Sequence, residues 1–410
     1  MPREHKDLTT SPAVVLGMFE TGLGVGRSLG RAGVRVTGFD STRKVGFHSK
    51  YIKASLCPHP IEHEKEFVDF LARFGASQLS RPVLFVTSDE FVLPVSRNRE
   101  ELEHHYLLNI PDPKILECIA DKYKQHELAR HAGIPVPETF CVSDMDQLQD
   151  IKNKIPLPAF IKGADVTAWR HKFGSAVKGF TVRDQRELLG TSRMIFEQGV
   201  TGLIQELIEG PDTCHYKASC YVSRKGEILL AFGLQKLRQH PVNYGFGCLV
   251  QSLQYPELLQ LGRNFFLRIG YRGVGSAEFK LDQRDGKLKL IELNPRYWQQ
   301  NALADKCGMN FPLTHYLDLT GHEPKPILDF REGVRWVNIY SDFESFREYR
   351  RRGQLSVIPW LRSLGGEMMY SDLSSDDVFP GLHEMFFGNI LRRPARFLMK
   401  KLRSGFRNLT

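Results

Sequence analysis

The chain has no apolar run approaching the roughly 18 residues that a membrane-spanning helix needs, and Met1 to Ser11 lacks the apolar core of a secretory signal peptide. These absences make the cytoplasm the expected compartment. Cysteine is sparse: Cys57, Cys118, Cys141, Cys214, Cys220, Cys248 and Cys307 are odd in number, scattered, and never spaced as a CxxC pair. That spacing excludes a disulfide framework and a metal site built on sulfur, and fits core thiols in a reducing compartment. There is no internal repeat and no low-complexity block, so solenoid and array architectures are excluded as well. Aromatic and basic residues are not interleaved on one strand pattern as base stacking requires, and no nucleic-acid partner is expected.

What is present is the composition of a packed protein. Of 410 residues, 41% are hydrophobic and 25% charged, enough for two or three domains. Lys and Arg number 56 against 47 Asp and Glu, for a formal charge of +9. Much of that surplus lies in one place: Arg392, Arg393, Arg396, Lys400, Lys401, Arg403 and Arg407 follow one another with no acidic residue between them. Beside them Phe386, Phe387, Ile390, Leu391, Phe397, Leu398, Leu402 and Phe406 recur at helical spacing, with Pro394 breaking the run in two. Such a tail suits either a helix lying on an anionic membrane, which would put the protein at its inner face, or a helix docked on the protein's own core.

Pro12 to Gly17 reads as a buried strand, a short apolar run ending at a glycine-rich turn with Gly22, Gly24, Gly26, Gly30 and Gly33. A helix and a second strand, Val34 to Phe39, complete a β-α-β unit of the doubly wound kind. A dinucleotide fingerprint is not met, because neither Gly22-x-Gly24 nor Gly24-x-Gly26 is followed by a third glycine three residues on. Val83 to Val86 is a further strand. Ligands in such sheets bind beyond the carboxyl ends of the strands, which makes Ser88, Asp89 and Glu90 candidates for holding a substrate. Ile115 to His131 reads as one helix, and Ala159 to Ile161 as a strand leading to Lys162. Gly163 to Gly179 reads as irregular and polar, and a helix follows near Asp184. Strands are expected at 203–207, 218–222, 228–234, 276–281 and 288–293, a mainly antiparallel arrangement. After Gly333 the pattern weakens, and Arg350 to Arg352 with Asp372 to Asp377 reads as surface.

The strongest chemical signal is the strand pair Ser276-Ala-Glu278-Phe-Lys280 and Leu290-Ile-Glu292-Leu-Asn294-Pro-Arg296, joined by a tight turn at Arg284-Asp285-Gly286. Alternate residues of a strand share a face, so Glu292 and Asn294 point the same way and hairpin pairing can bring Glu278 beside them. Two carboxylates and an amide oxygen on one face suit Mg²⁺, which is commonly bound by a few carboxylates plus phosphate and water. Arg296 adds a fixed positive charge suited to a transferring phosphoryl group.

This pattern resembles the ATP-grasp superfamily, in which a Glu on one strand is followed by Glu-x-Asn-x-Arg on the next. The resemblance extends over Asp121-Lys122 to Pro137, Phe160-Ile-Lys162-Gly163, Leu203 to Asp212, and Gln235-Lys236-Leu237-Arg238 with the loop up to Gly247. It implies a fold of α/β and α+β parts: a Rossmann-like domain at residues 1–120, an ATP-grasp domain of two α+β subdomains clasping ATP at 121–330, and an extension at 331–410. It further implies that Lys122 and Lys162 hold ATP phosphate, and that Glu206 with the backbone of Leu207 and Ile208 meets the adenine edge. Glu209 or Asp212, with Asp212 favoured, would bind the ribose. Glu278, Glu292 and Asn294 would hold two Mg²⁺ ions, with Mn²⁺ an alternative, and Arg238 and Arg296 would act in catalysis.

The implied reaction is that of a carboxylate-amine ligase of the set that includes D-aspartate ligase, related more distantly to the carbamoyl phosphate synthetase large subunit. It joins a small carboxylate and an amine with release of ADP. Ser88 to Glu90, Trp169, Tyr244 and Trp298 to Asn301 are the candidates for setting substrate identity. A homodimer is compatible with the sequence, and the rival reading is a catalytically inactive ATP-binding regulator. The covering loop departs from the family's glycine-rich pattern, since Trp169 to Gly179 offers only Gly174 and Gly179.

Overall fold

The structure, a computed structural model, describes residues 11–174, 177–243 and 245–388. The chain forms two compact units that are discontinuous in sequence. Within the described residues the first comprises 11–110, 238–252 and 296–388, and the second 111–237 and 253–295.

The first unit opens with β1 (Ala13–Leu16), α1 (Glu20–Arg31), β2 (Val36–Asp40), β3 (Ile52–Leu56), α2 (Glu64–Ala76), β4 (Val83–Val86), α3 (Asp89–Arg97) and α4 (Arg99–His105). The four strands form a parallel sheet in the order β3-β2-β1-β4, and β1 and β4 are buried along their whole length. The glycine-rich stretch expected to be a turn is helix α1. Gly17, at φ +91°, makes the turn before it. The later glycines serve close approach: a Cβ on Gly22 would lie 1.9 Å from the Gly17 carbonyl oxygen, and one on Gly26 2.4 Å from Ile52 Cδ1. Small residues thus let the helix lie against the sheet, and the periodicity of their absence of side chains mimics a loop signal.

The second unit begins with α5 (Pro113–Ala120) and α6 (Lys122–His131), followed by β5 (Thr139–Val142), α7 (Met145–Ile151), β6 (Ala159–Gly163), α8 (Val166–Phe173), β7 (Phe180–Val182), α9 (Gln185–Glu197) and β8 (Gly202–Glu206). The expected single helix over 115–131 is two, because Asp121 leaves helical geometry and its carboxylate caps α6 by accepting from the amides of Tyr123 and Lys124. The stretch expected to be irregular contains α8, and Trp169 on it is core rather than substrate contact. That ring is 4% exposed, packs with Ile161, Val182, Leu188 and Ile204, and donates its indole N–H to Val177 O. Burial of such a ring is worth on the order of 2–3 kcal/mol. These elements build a sheet ordered β5-β8-β6-β7.

The remaining strands of this unit are β9 (His215–Val222) and β10 (Ile228–His240), then, after β11 (Phe246–Ser252) and α10 (Pro256–Arg268), β12 (Gly273–Leu281) and β13 (Leu288–Asn294). They pair antiparallel in the order β13-β12-β9-β10, as part of a seven-stranded sheet. Gln235 to Arg238, expected at a loop, lies inside β10.

The rest of the first unit holds α11 (Asn301–Lys306), α12 (Phe311–Leu319), β14 (Arg335–Val337), α13 (Ile339–Arg351), α14 (Val357–Ser363), β15 (Met368–Tyr370) and α15 (Phe379–His383). There β11 pairs antiparallel with β14, and β14 parallel with β15. The acidic stretch 372–377 is not simply surface: Asp377, 3% exposed, accepts from Arg27 Nε at 2.9 Å and from Ser49 Oγ at 2.7 Å. Breaking a buried pair of this kind costs about 3–5 kcal/mol, so the segment is pinned to α1. Among the described residues no helix is long and apolar enough to cross a membrane. The tail residues Ile390 to Thr410 and Tyr244 lie outside the described residues.

Candidate ATP site

The site of the second unit is set by register. Glu278 on β12 stands directly opposite Glu292 on β13, and Ser276 opposite Asn294, so all these side chains share one face of the sheet. On the other side of β12, Glu278 pairs with Lys217 and Lys280 with His215. A bulge follows at Ile291, between the pairs Glu278–Glu292 and Phe279–Leu290.

β13 is the edge strand, and α6 covers its open backbone. The Gln125 amide donates to Leu293 O at 3.1 Å and accepts from Leu293 N at 3.0 Å, a side chain standing in for a neighbouring strand. His126 Nε2 reaches Ile291 O at 3.3 Å. Lys122, one turn before Gln125 on the same helix face, therefore falls beside the β13 carboxylate, with Nζ 2.9 Å from Glu292 Oε1. From the other sheet, Lys162 on β6 donates to Gln205 Oε1 at 3.3 Å, and Gln205 is fixed in turn by His126 Nδ1 at 3.0 Å and Thr139 Oγ at 3.1 Å. With Nε2 donating to a carbonyl, the His126 Nδ1 is the acceptor of this network.

Electrostatics mark the face as anion-seeking. Burial, with repulsion from Lys122, pushes Lys162 down to about 8, and Glu292 only partly restores it. Burial also lowers Lys280. Burial, then Lys236 and Lys280, drive His215 to about 3, so it is neutral. Glu278 is opposed by burial but flanked by Lys217 at 3.0 Å and Lys236 at 3.2 Å, which together hold it well below the usual carboxylate range. Lys122 pairs with Glu292, Lys217 and Lys236 pair with Glu278, and Lys280 lies within electrostatic reach of Asp212 and Glu209. Crowded, half-desolvated ammonium groups with depressed pKa are stabilised by an incoming polyanion.

The remaining expected residues fall as follows. Glu206, 8% exposed, is held by Arg284 and Lys289, which also bind Asp282. Leu207 N donates to Pro158 O at 2.9 Å, and Ile208 is buried. Glu209 is exposed, and Asp212 opens a short 3₁₀ turn to Cys214; both lie within electrostatic reach of Lys280. In the first unit, Arg238 is 6% exposed and gives Nε and Nη2 to Asp342 at 2.7 and 3.1 Å and Nη1 to Ser363 at 2.7 Å. Arg296 makes a two-pronged pair with Asp89 at 2.6 and 2.8 Å. Ser88 and Glu90 line a cavity of about 350 Å³ with Gly17, Asp40, Lys44 and His59, at the carboxyl ends of β1, β2 and β4. Trp298 and Asn301 are buried, the latter bonded to Thr21 O and Trp298 O. Lys217, Lys280, His215 and Gln205 carried no signal of their own in the sequence. Alternation along β9 and β12 would have placed the first three on the Glu278 face once the register was known.

No family model matches the chain. Over 275 residues it is 22% identical to the D-aspartate ligase of Enterococcus faecium (strain Aus0004), a match covering 64% of this chain and 65% of that protein. Among solved structures, N5-carboxyaminoimidazole synthetase from Staphylococcus aureus matches with a TM-score of 0.60 at 12% identity, over 78% of this chain and 79% of that one. The chain has the ATP-grasp fold. Phosphoribosylglycinamide synthetase from Anaerococcus prevotii is similar in the same way, with a TM-score of 0.59 at 13% identity over 77% and 76% of the two chains. The sheet β5-β8-β6-β7 and the strands β13, β12 and β9, with β10 up to Leu237, belong to the second unit. The chain spans 65% of the length of the D-aspartate ligase it matches.

Proposed function

We propose that this chain is an ATP-dependent, ADP-forming ligase that activates a small carboxylate as an acyl phosphate and couples it to an amine. The observation that carries the reading is the second unit's cluster of lysines around Glu278 and Glu292, in which burial and mutual repulsion push Lys162 down to about 8 and burial lowers Lys280. D-aspartate ligase, the relative named above, supplies the reaction class.

On this reading Lys122 and Lys162 neutralise the nucleotide phosphates as point charges, and Lys217, Lys236 and Lys280 extend that field. Glu209 or Asp212 takes the ribose hydroxyls. Because the Glu206 side chain is engaged by Arg284 and Lys289 and the Leu207 N–H by Pro158 O, adenine recognition falls to the Leu207 carbonyl and the backbone of Ile208. Glu278, Glu292 and Asn294 fit Mg²⁺. Their carboxylates are already paired with ammonium groups, they supply oxygen donors only, and they are too few to close a cage, as expected where phosphate and water complete the shell. Among the described residues no group of three or more His, Cys, Asp or Glu forms a rival metal site. Bound there, one or two Mg²⁺ ions, or Mn²⁺, would offset phosphate charge.

The chain needs no nucleophile of its own. Its residues orient the substrate carboxylate toward the γ-phosphate and exclude water from the resulting anhydride until the amine attacks. Arg296 offers its guanidinium to the transferring group when a substrate anion replaces Asp89, and Arg238 takes part only if it leaves Asp342. The cavity beside Ser88 and Glu90, lined by the ammonium of Lys44 and by the carboxylates of Asp40 and Glu90, suits a substrate carrying both charges. The setting is cytoplasmic, as ATP supply and seven free thiols suit.

Release of ADP from Mg-ATP is the test, measured against a panel of amino acids with hydroxylamine present to trap the acyl phosphate. A hydroxamate formed with one carboxylate alone, and ADP release increased by an amine, are expected. Tight ATP binding with no hydroxamate and no ADP across the panel would mean a regulatory ATP-binding protein instead.

A further inference from the structure

The end of the described chain carries an apolar surface that the ligase reading does not use. Helix α15 continues as a π-helical turn to Gly388. One face of this segment is docked: Pro380 and Gly381 are buried, a Cβ on Gly381 would lie 2.4 Å from Leu373 Cδ2, and His383 stacks on His48 with ring centroids 3.6 Å apart. The other face points outward. Val378, Phe379, Leu382, Met385 and Phe386 are 41%, 70%, 38%, 54% and 55% exposed. Their spacing, i, i+1, i+4, i+7 and i+8, repeats about once per helical turn and keeps the five on one side of the segment. Small residues make the inward contact, so docking on the protein's own body has already happened and has left the large side chains in water.

Six residues beyond Phe386 the chain enters the stretch Arg392 to Arg407, with seven basic residues and no acidic one. A second copy of the chain is a poor occupant for the stripe, since pairing there would bring two such stretches together. Nucleic acid would use the basic residues but leave the aliphatic ones unsatisfied. A surface that is apolar below and negative above satisfies both. We propose that the outward stripe Val378-Phe379-Leu382-Met385-Phe386, with the basic stretch that follows it, docks the protein on an anionic lipid bilayer.

Co-sedimentation of the full chain tests this, using vesicles of phosphatidylcholine alone and vesicles with added phosphatidylglycerol. Binding to the anionic vesicles only, weakened by salt, is expected. The triple variant Phe379→Glu/Leu382→Glu/Phe386→Glu, all exposed positions, should lower partitioning at least about tenfold, as should Arg392→Gln/Arg393→Gln/Arg396→Gln. Both should keep the wild-type melting temperature and ATP turnover in solution. Failure to bind anionic vesicles, equal binding by the triple variant, or equal binding to neutral vesicles would each overturn the proposal. So would a wild-type dimer that the triple variant dissociates, or retention of duplex DNA in place of vesicles.

Discussion

Lys162 shows how a single side chain reports on its surroundings. Its ammonium is pushed down to about 8 because β6 carries it into a half-dry site already occupied by Lys122. Phosphate binding needs the charged form, which the free protein holds below pH 8 and loses above it. The kcat/KM for ATP should therefore fall about tenfold per pH unit on the alkaline side of 8. Lys162→Arg, which stays charged, should remove that limb even if it lowers the plateau; a limb unchanged in this variant would assign the titration elsewhere. Arg238 belongs to the other kind of residue. With Asp342 only 1% exposed at its side chain, Arg238→Ala strands a buried carboxylate, and equilibrium denaturation should show a loss of about 3–5 kcal/mol. Arg238→Ala/Asp342→Ala together should recover much of it. The sequence motif that singled out Arg238 could not reveal this partner, which lies 104 residues away.

Among elements, strand signals were the most legible. β4 was read to the residue, and β12 and β13 within three, because short β-branched runs ending in turn residues leave few alternatives. Alternation put Glu292 and Asn294 on one face and the hairpin could bring Glu278 beside them, but the register that sets Glu278 opposite Glu292, with its bulge at Ile291, has no signal in the sequence. Helices misled where composition spoke against them: α1 is rich in glycine and α8 is polar, and in both tertiary contact outweighs propensity. Glycines inside helices separate into two kinds here. Gly22 has no room for a methyl group, its Cβ position being 1.9 Å from a carbonyl oxygen, whereas Gly190 on α9 has nothing within 4 Å. Gly22→Ala should destabilise by about 1–3 kcal/mol, and Gly190→Ala should stabilise by about 0.5–1 kcal/mol. Denaturant midpoints check both, and equal effects would contradict the close-approach account of α1. The placing of Lys122 was only half legible, since the motif named the residue but not the Gln125 amide that brings it to Glu292.

At the scale of the whole molecule, the first unit is assembled from three separate stretches of chain, and buried polar ties hold them. Glu20 at the start of α1 accepts from Gln299 Nε2 at 2.6 Å and Asn338 Nδ2 at 2.7 Å, joining all but the 238–252 stretch. Burial pushes its carboxyl up to about 8; the Gln299 amide lowers it, while Asp372 and Glu384 raise it further. The native state then holds a proton that the unfolded chain, titrating near 4.5, releases. That contribution is whole below pH 4.5 and is lost as pH rises through 8. Wild type should lose stability relative to Glu20→Gln between pH 5 and 8.5, by an amount on the order of 2–4 kcal/mol. Parallel pH profiles for the two proteins would rule the linkage out. None of this long-range wiring was legible in the sequence, because a Glu, a Gln and an Asn separated by hundreds of residues form no local pattern.

The central claim is that the lysine and carboxylate face of the second unit is built for a nucleoside triphosphate with its divalent ions. Calorimetric titration of ATP, with and without Mg²⁺, into wild type and into Lys162→Met and Glu292→Gln tests it most directly. The account predicts Mg-assisted binding in wild type, a loss of at least about tenfold in Lys162→Met, and loss of the Mg²⁺ effect in Glu292→Gln. Undiminished, Mg-responsive binding in both variants would contradict it.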